Sequence, residues 1–216
     1  ESRKRTPTIE EVKEIWHASY NCGSLWGPFF RMCILTGQRS RNEVLRMKWT
    51  WVNHSKQRLE IPTTKNREPH IVHLADAALK ELEAIRQDQD RQNLVTSFVF
   101  TTTGKTPSSG VSKAKKMLDD EIVKIRAERG NTEEMEPWVL HDLRRAQATA
   151  LAEAGFTETV VDRIQNHVAV GSRPSAVAAV YSLAKLLPER ARALDYWACL
   201  VTERSGEVIR LANAQI

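Results

Sequence analysis

Apolar side chains recur at helical spacing over most of the chain, and this pattern predicts a mainly helical protein. The stripes fall in residues 6–20, 24–36, 76–90, 110–129, 142–154, 157–164 and 188–202. Ser40 and Glu43 have the spacing of a capping box, so a short helix is expected to open at Ser40. Asp142 is expected to cap a helix that stops at Gly155.

The apolar period changes to that of strands between residues 49 and 74. Short strands are predicted at residues 49–51, 58–61, 70–74 and 98–100. A polar connection between Pro62 and Pro69 joins the second and third of these, which predicts a β-hairpin. Residues 208–211 are a further candidate strand, and no neighbouring segment is an obvious partner for it.

Composition is that of an ordinary globular protein, with 216 residues, 41% of them hydrophobic and 27% charged. The formal net charge of +5 mildly favours a polyanionic partner such as DNA or RNA. No apolar run approaches the roughly 20 residues that a membrane span needs. Cys22, Cys33 and Cys199 are odd in number and lack metal-ligand spacing, which predicts buried, reduced thiols and a cytoplasmic protein.

Several side chains spread along the chain have the chemistry to act together on a phosphodiester. They are Arg39, Lys65, His141, Arg144, His167 and Tyr181. Cleaving such a bond needs a nucleophile, an acid for the leaving oxygen, and positive groups on the non-bridging oxygens. No carboxylate cluster of the kind used by metal-dependent nucleases is evident, so the positive groups are expected to be side chains.

Taken singly, these residues also have ordinary structural explanations. Arg39 falls in a turn between two predicted helices, where most arginines are simply solvated. Lys65, near the hairpin tip, has the alternative role of a solubilising lysine. Tyr181 has the alternative of a core tyrosine with a satisfied hydroxyl, the state expected for Tyr20 and Tyr196.

The order of these motifs resembles the catalytic domain of the tyrosine recombinases, the phage integrase family, over about residues 8–197. The family's first arginine follows a Thr-Gly turn and precedes an acidic residue, as Arg39 does in Thr36-Gly37-Gln38-Arg39 with Glu43 beyond it. Its β-hairpin lysine matches Lys65. Any one of these motifs is weak, but their shared order is specific.

The second half of the chain carries the rest of the resemblance. His141 and Arg144 match the family's His-x-x-Arg box, His167 its later histidine, and Tyr181 its nucleophile in Ala-Val-Tyr. The family usually has Leu-Gly before the later histidine, where this chain has Gln165-Asn166. The long stretch from His167 to Tyr181 is similar to that of prophage and genomic-island integrases.

The resemblance implies a fold that is mainly α with a small three-stranded antiparallel β-sheet. It also implies that Tyr181 attacks the scissile phosphate, giving a 3′-phosphotyrosyl link and a free 5′-hydroxyl. Arg39 and Arg144 would clamp the non-bridging oxygens, His141 would act as acid and base, and Lys65 would protonate the leaving oxygen. Neither a metal nor another cofactor is implied.

The remaining roles follow from the same resemblance. Glu43 would support Arg39, and His167 would donate a hydrogen bond to the phosphate. Further DNA contacts are expected from Lys113, Lys116, Arg145 and Arg173. The lysines of the 110–129 helix equally suit an ordinary solvated face.

The implied partner is double-stranded DNA at attachment or core sites, bound by a homotetramer that is weakly associated or monomeric without DNA. Residues 1–204 are expected to form the catalytic domain, and residues 205–216 a tail or strand exchanged between protomers. The family's N-terminal core-binding domain is not recognisable in this chain. The alternatives are a type IB topoisomerase-like enzyme, a DNA-binding module without catalysis and, more distantly, a metal-dependent nuclease.

Overall fold

The computed structural model of the chain describes residues 5–131, 133–167 and 186–203. The helices in these ranges are α1 (Ile9–Ser19), α2 (Gly23–Thr36), α3 (Asp76–Arg91), α4 (Val111–Glu128), α5 (Asp142–Glu153), α6 (Glu158–Ile164) and α7 (Leu187–Val201). Two 3₁₀ turns (Tyr20–Cys22 and Trp49–Trp51) and a π-helical turn (Ser40–Val44) lie between them. No described helix combines the length and the apolar character that crossing a lipid bilayer requires.

The strands β1 (Val52–Asn53), β2 (Arg58–Ile61) and β3 (His70–His73) form one antiparallel sheet in the order β1-β2-β3. The expected fold class, mainly α with a small three-stranded antiparallel β-sheet, is confirmed. The strand predicted at residues 49–51 is wrong, because Trp51 N–H donates back to Lys48 and closes a 3₁₀ turn. The strand predicted at residues 98–100 reduces to a single bridge between Phe98 and Lys48.

Helix bounds agree with the sequence predictions to within a few residues, but two of the predicted caps are wrong. His141 occupies the cap of α5, and Asp142 lies in the first turn, where its carboxylate accepts from Val139 N–H at 2.9 Å. Arg39 occupies the cap position before Ser40, and no side chain caps that turn. In both places the acidic side chain binds a backbone N–H upstream of its helix instead of the orphan N–H groups inside it.

Helix α2 lies at the centre of the molecule and packs against α1, α3, α5 and α7. Phe29 and Phe30 are fully buried, and the Phe29 ring meets Phe100 edge-on at 5.6 Å between centroids. Trp197 of α7 donates its indole N–H to the Ile34 carbonyl at 2.8 Å. This packing fixes the end of α2, where the candidate site begins.

The expectation that Tyr20 is a core residue is wrong. Its side chain is 57% exposed and stacks on Arg31, whose guanidinium carbon lies 4.1 Å from the ring centroid. Tyr196 packs against Phe156 at the edge of the core. The cysteines are free and buried, and burial raises the pKa of the Cys22 thiol to about 11.

Candidate active site

The turn that carries Arg39 is fixed by a glycine at the end of α2. Gly37 adopts the left-handed conformation, with φ of 62°, and an added Cβ would lie 1.9 Å from the Gln147 side-chain oxygen. Only glycine meets both conditions. The buried Glu43 carboxylate then accepts from Arg39 N–H and from Arg39 Nη1, each at 2.7 Å. One edge of the Arg39 guanidinium is therefore held.

Arg144 reaches the same turn from the first turn of α5. Its Nη1 donates to the Gly37 carbonyl, and its Nη2 donates to the Gln165 carbonyl at 2.8 Å. The Gln165 side chain returns a hydrogen bond to the Arg144 carbonyl at 2.5 Å. A guanidinium carries five N–H groups, and these contacts use two of them. Arg144 Nε is buried and has no hydrogen-bond partner within the described residues.

The two arginines form a positive centre, in which Arg144 is buried and Arg39 is partly exposed. Arg144 is 2% exposed, and burial together with the nearby Arg39 lowers the pKa of its guanidinium to about 10. It remains protonated at neutral pH, and Glu43 is the carboxylate that offsets it. An anion placed between the guanidinium groups would relieve their mutual repulsion, and phosphate matches the fork geometry.

His141 stands beside this centre at the start of α5. Burial lowers the pKa of its imidazole, and the positive charges of Arg144, Arg145 and Arg39 lower it further. Asp142 opposes the shift without cancelling it. The imidazole is therefore neutral at neutral pH and can accept a proton from a nearby hydroxyl.

The Ile164 carbonyl, at the end of α6, joins two elements that carry candidate residues. It accepts from the Gln38 amide at 2.9 Å and from His70 Nε2 at 3.1 Å. Burial and the charge of Arg190 lower the pKa of His70 to about 3, so its ring is neutral and donates through Nε2. The Arg39 turn and the start of β3 are thereby tied to the segment before His167.

A second pair of hydrogen bonds ties the β2–β3 connection to the same segment. Asn66 donates its amide to the Asn166 carbonyl at 3.0 Å, and Asn166 donates its amide to Thr64 Oγ1 at 2.9 Å. Asn166 has a φ of 52°, a left-handed conformation that asparagine tolerates better than most residues, so the chain stops tightly there. Lys65 is exposed on this connection, beside the residues that hold it.

The other candidate residues are less tightly organised. His167 is exposed, with Nδ1 3.2 Å from a carboxylate oxygen of Asp162, and within the described residues it makes no hydrogen bond to Arg39 or Arg144. Arg145 Nη1 donates to the Arg5 carbonyl and lies 3.7 Å from Asp142 Oδ1. Lys113 and Lys116 are exposed on α4. Tyr181, Arg173 and the strand predicted at residues 208–211 lie outside the described residues.

Sequence reasoning missed the residues that hold the site together. Gln38, Gln165 and Asn66 make the contacts between elements, and their motifs carry no local signal of it. His70 is a structural residue, 3% exposed and hydrogen-bonded to the Ile164 carbonyl. In the described ranges no group of three His, Cys, Asp or Glu side chains is placed to hold a metal ion.

Solved structures with a similar fold are DNA recombinases. XerA recombinase superimposes with a TM-score of 0.62 at 15% identity, over 87% of this chain and 67% of that one. A lambda integrase (75–356) dimer bound to a COC′ core site gives 0.54 at 19%, over 79% of this chain and 60% of that one. A lambda integrase tetramer bound to a Holliday junction gives 0.53 at 19%, over 82% and 50%.

The present chain thus spans between half and two thirds of the length of these recombinases. No curated protein sequence matches it. The sequence model of the phage integrase family, however, matches residues 7–173, which include the described turn, hairpin and helix that carry Arg39, Lys65 and Arg144. The chain belongs to the phage integrase family.

Proposed function

We propose that the chain is the catalytic domain of a site-specific DNA recombinase that cuts and rejoins DNA through a 3′-phosphotyrosyl intermediate. The observation that carries the proposal is the pair formed by Arg39, which is bound to the Glu43 carboxylate, and the buried Arg144, which is bound to backbone carbonyls, beside a neutral His141. Such a centre suits a phosphate with developing negative charge. The membership of the family supports the reaction class.

In the proposed reaction, the Tyr181 hydroxyl attacks the scissile phosphorus while Arg39 and Arg144 hold the non-bridging oxygens. The bond from tyrosine oxygen to phosphorus forms, and the bond from phosphorus to the 5′-oxygen breaks. The phenol has an ordinary pKa of about 10, so its proton passes to His141. Lys65 gives a proton to the leaving 5′-oxygen. A 5′-hydroxyl from another strand then reverses the step.

His167 supplies a further hydrogen bond to the phosphate, and Glu43 holds Arg39 in place. We place the catalytic domain in residues 1–204 and assign residues 205–216 to a tail exchanged between protomers on DNA. A tetramer on paired DNA sites is the proposed working assembly. Lambda integrase, a structural neighbour, has been crystallised as a tetramer on a Holliday junction, which supports this assembly by similarity of fold.

Covalent trapping tests the proposed chemistry. The chain is incubated with supercoiled plasmid in EDTA, and a protein–DNA band is sought that survives SDS and disappears with protease. The unchanged chain should give the band, Tyr181→Phe should not, and Tyr196→Phe, the matched control, should keep it. A band with Tyr181→Phe would overturn the assignment of the nucleophile. No band from any variant would favour a DNA-binding module without catalysis.

A further inference from the structure

A second positively charged surface lies next to the candidate site. A groove of about 800 Å³ opens between the π-helical turn, the turn Trp49–Trp51 and the start of α4. Its charged lining residues are Arg41, Arg46 and Lys48, and none of the residues that line it is acidic. In the described ranges these three cations make no ion pair with a carboxylate, unlike Lys115, Lys124 and Arg91 elsewhere on the surface.

The groove also has donors and flat apolar walls. Helix α4 begins beside it at Val111, after the cap residue Gly110, and no side chain caps its first turn. Backbone N–H groups and the positive end of the helix dipole therefore face this region. Ser108 lines the groove, is 9% exposed, and its Oγ has no hydrogen-bond partner within the described residues. Trp51 and Phe98 supply the walls, and Lys48 Nζ lies 5.4 Å from the Phe98 ring centroid.

The groove lies next to the positive centre formed by Arg39 and Arg144. Arg41 lies two residues beyond Arg39 in the same turn and donates to Ser112 of α4 at 3.3 Å. Arg41 therefore places one wall of the groove next to the turn that carries Arg39, beside the position proposed for the scissile phosphate. Neighbouring phosphates repeat along a DNA backbone, and they match a lining that has several cations and no acid.

We propose that this groove, lined by Arg41, Arg46, Lys48 and Ser108, binds backbone phosphates of the same duplex away from the scissile bond. The inference rests on the proposed function, since it takes DNA as the partner. The groove supplies affinity and register, independent of base sequence. It adds a contact surface to those expected from Lys113 and Lys116.

Salt-dependent binding of a labelled duplex of unrelated sequence tests this inference. Each phosphate contact contributes about −0.9 to the slope of log affinity against log salt. Arg46→Gln should make the slope shallower by about 0.9, and the double variant Arg46→Gln/Lys48→Met by about 1.8. Lys80→Gln, which removes an exposed charge from α3, is the matched control and should keep the wild-type slope.

Arg46 is exposed, so its replacement should leave the thermal unfolding midpoint unchanged, and this is measured in parallel. An unchanged slope in both groove variants, with duplex binding and the phosphotyrosyl band intact in the wild type, would overturn the groove assignment and leave the proposed function standing. Failure of the wild type to bind any duplex would overturn both.

Discussion

Arg31 and Arg144 are two of the arginines buried in the described part of the molecule, and their surroundings differ. Arg31, at the interface of α2 and α3, is 6% exposed and donates through Nε and Nη2 to both oxygens of Glu81, at 2.7 and 2.8 Å. Arg144 is 2% exposed, but its partners are two backbone carbonyls. The charged group that acts most strongly on its pKa is another arginine, Arg39.

The difference separates a structural charge from one reserved for a ligand. A buried ion that is paired in good geometry is neutralised within the fold. A buried cation that is held by carbonyls beside a like charge is repelled by that charge, and a bound anion offsets the repulsion. Burial alone therefore does not identify a functional arginine. Arg190 is 1% exposed and donates to the Ile71 carbonyl, so a carbonyl partner in place of a carboxylate does not identify one either. What distinguishes Arg144 is its position beside the candidate residues Arg39 and His141.

The largest expected effect is on the chemical step, from Arg144→Gln. Removing one charge that stabilises the transition state should slow formation of the phosphotyrosyl adduct by about 10²–10³-fold. The thermal midpoint should hold or rise, because a buried and unneutralised charge is removed. Single-turnover trapping and a melting curve measure the two effects. A large fall in stability with a normal adduct rate per folded molecule would show that Arg144 has the structural role assigned to Arg31.

Arg31→Met should have the opposite profile. It leaves Glu81 buried without a partner, so the free energy of unfolding should fall by about 3–5 kcal/mol in urea titration. Arg31→Met/Glu81→Leu should recover most of that loss, since no uncompensated charge remains. The adduct rate per folded molecule should match the wild type in both variants. A slow adduct in the recovered double variant would contradict a purely structural role.

A smaller effect is expected on the pH dependence of stability, through His70 in the region around Arg144. The pKa of His70 is about 3 in the fold, whereas an unfolded histidine has a pKa of about 6.5. Between these values the unfolded chain binds the extra proton, so stability is lost as the pH falls. From pH 7 to pH 5 the loss is about 2 kcal/mol.

The variant His70→Gln keeps a donor for the Ile164 carbonyl but does not titrate. Its free energy of unfolding should therefore fall less than that of the wild type between the two pH values. Comparing each protein only with itself removes any difference in basal stability. Equal losses in both proteins would show that the pKa of His70 is not lowered in the folded state.

The smallest expected effect is a shift in a pH profile. The pKa of His141 is lowered by burial, then by Arg144 and Arg145. If neutral His141 accepts the proton of Tyr181, the adduct rate falls as the pH drops through this lowered pKa. Arg145→Gln removes one positive charge, so the acid limb should move to higher pH. Arg91→Gln, on the exposed face of α3, should leave the limb in place.

Features set by residues close together in the chain could be predicted from the sequence, whereas contacts between distant residues could not. The short motifs around Arg39 and His141 and the hairpin with Lys65 were recognisable, because each lies within a few residues of a helix or strand boundary. The partners of Arg144 were not, since the Gly37 carbonyl lies 107 residues away. The caps at Ser40 and Asp142 were wrong because each neighbouring acid had a stronger backbone partner upstream.

The 3₁₀ turn at Trp49–Trp51 could not be predicted from the sequence either. Alternating aromatic residues are typical of a strand, but Trp49 donates its backbone N–H to the Ser97 carbonyl and its indole N–H to Gln89. These contacts come from distant parts of the chain and favour a turn there. Local propensity was overridden by tertiary contacts.

The shared acceptor at Ile164 has a consequence for the synthesis of the protein. Its two donors, Gln38 and His70, precede it by 126 and 94 residues. A chain emerging from the ribosome carries Arg39 and Lys65 long before the carbonyl that fixes their elements exists. The positive centre is therefore assembled only after residue 164 has been made, and the proposed nucleophile at Tyr181 is made later still. On the proposed mechanism, a chain interrupted before Tyr181 would lack the nucleophile and could not cut DNA.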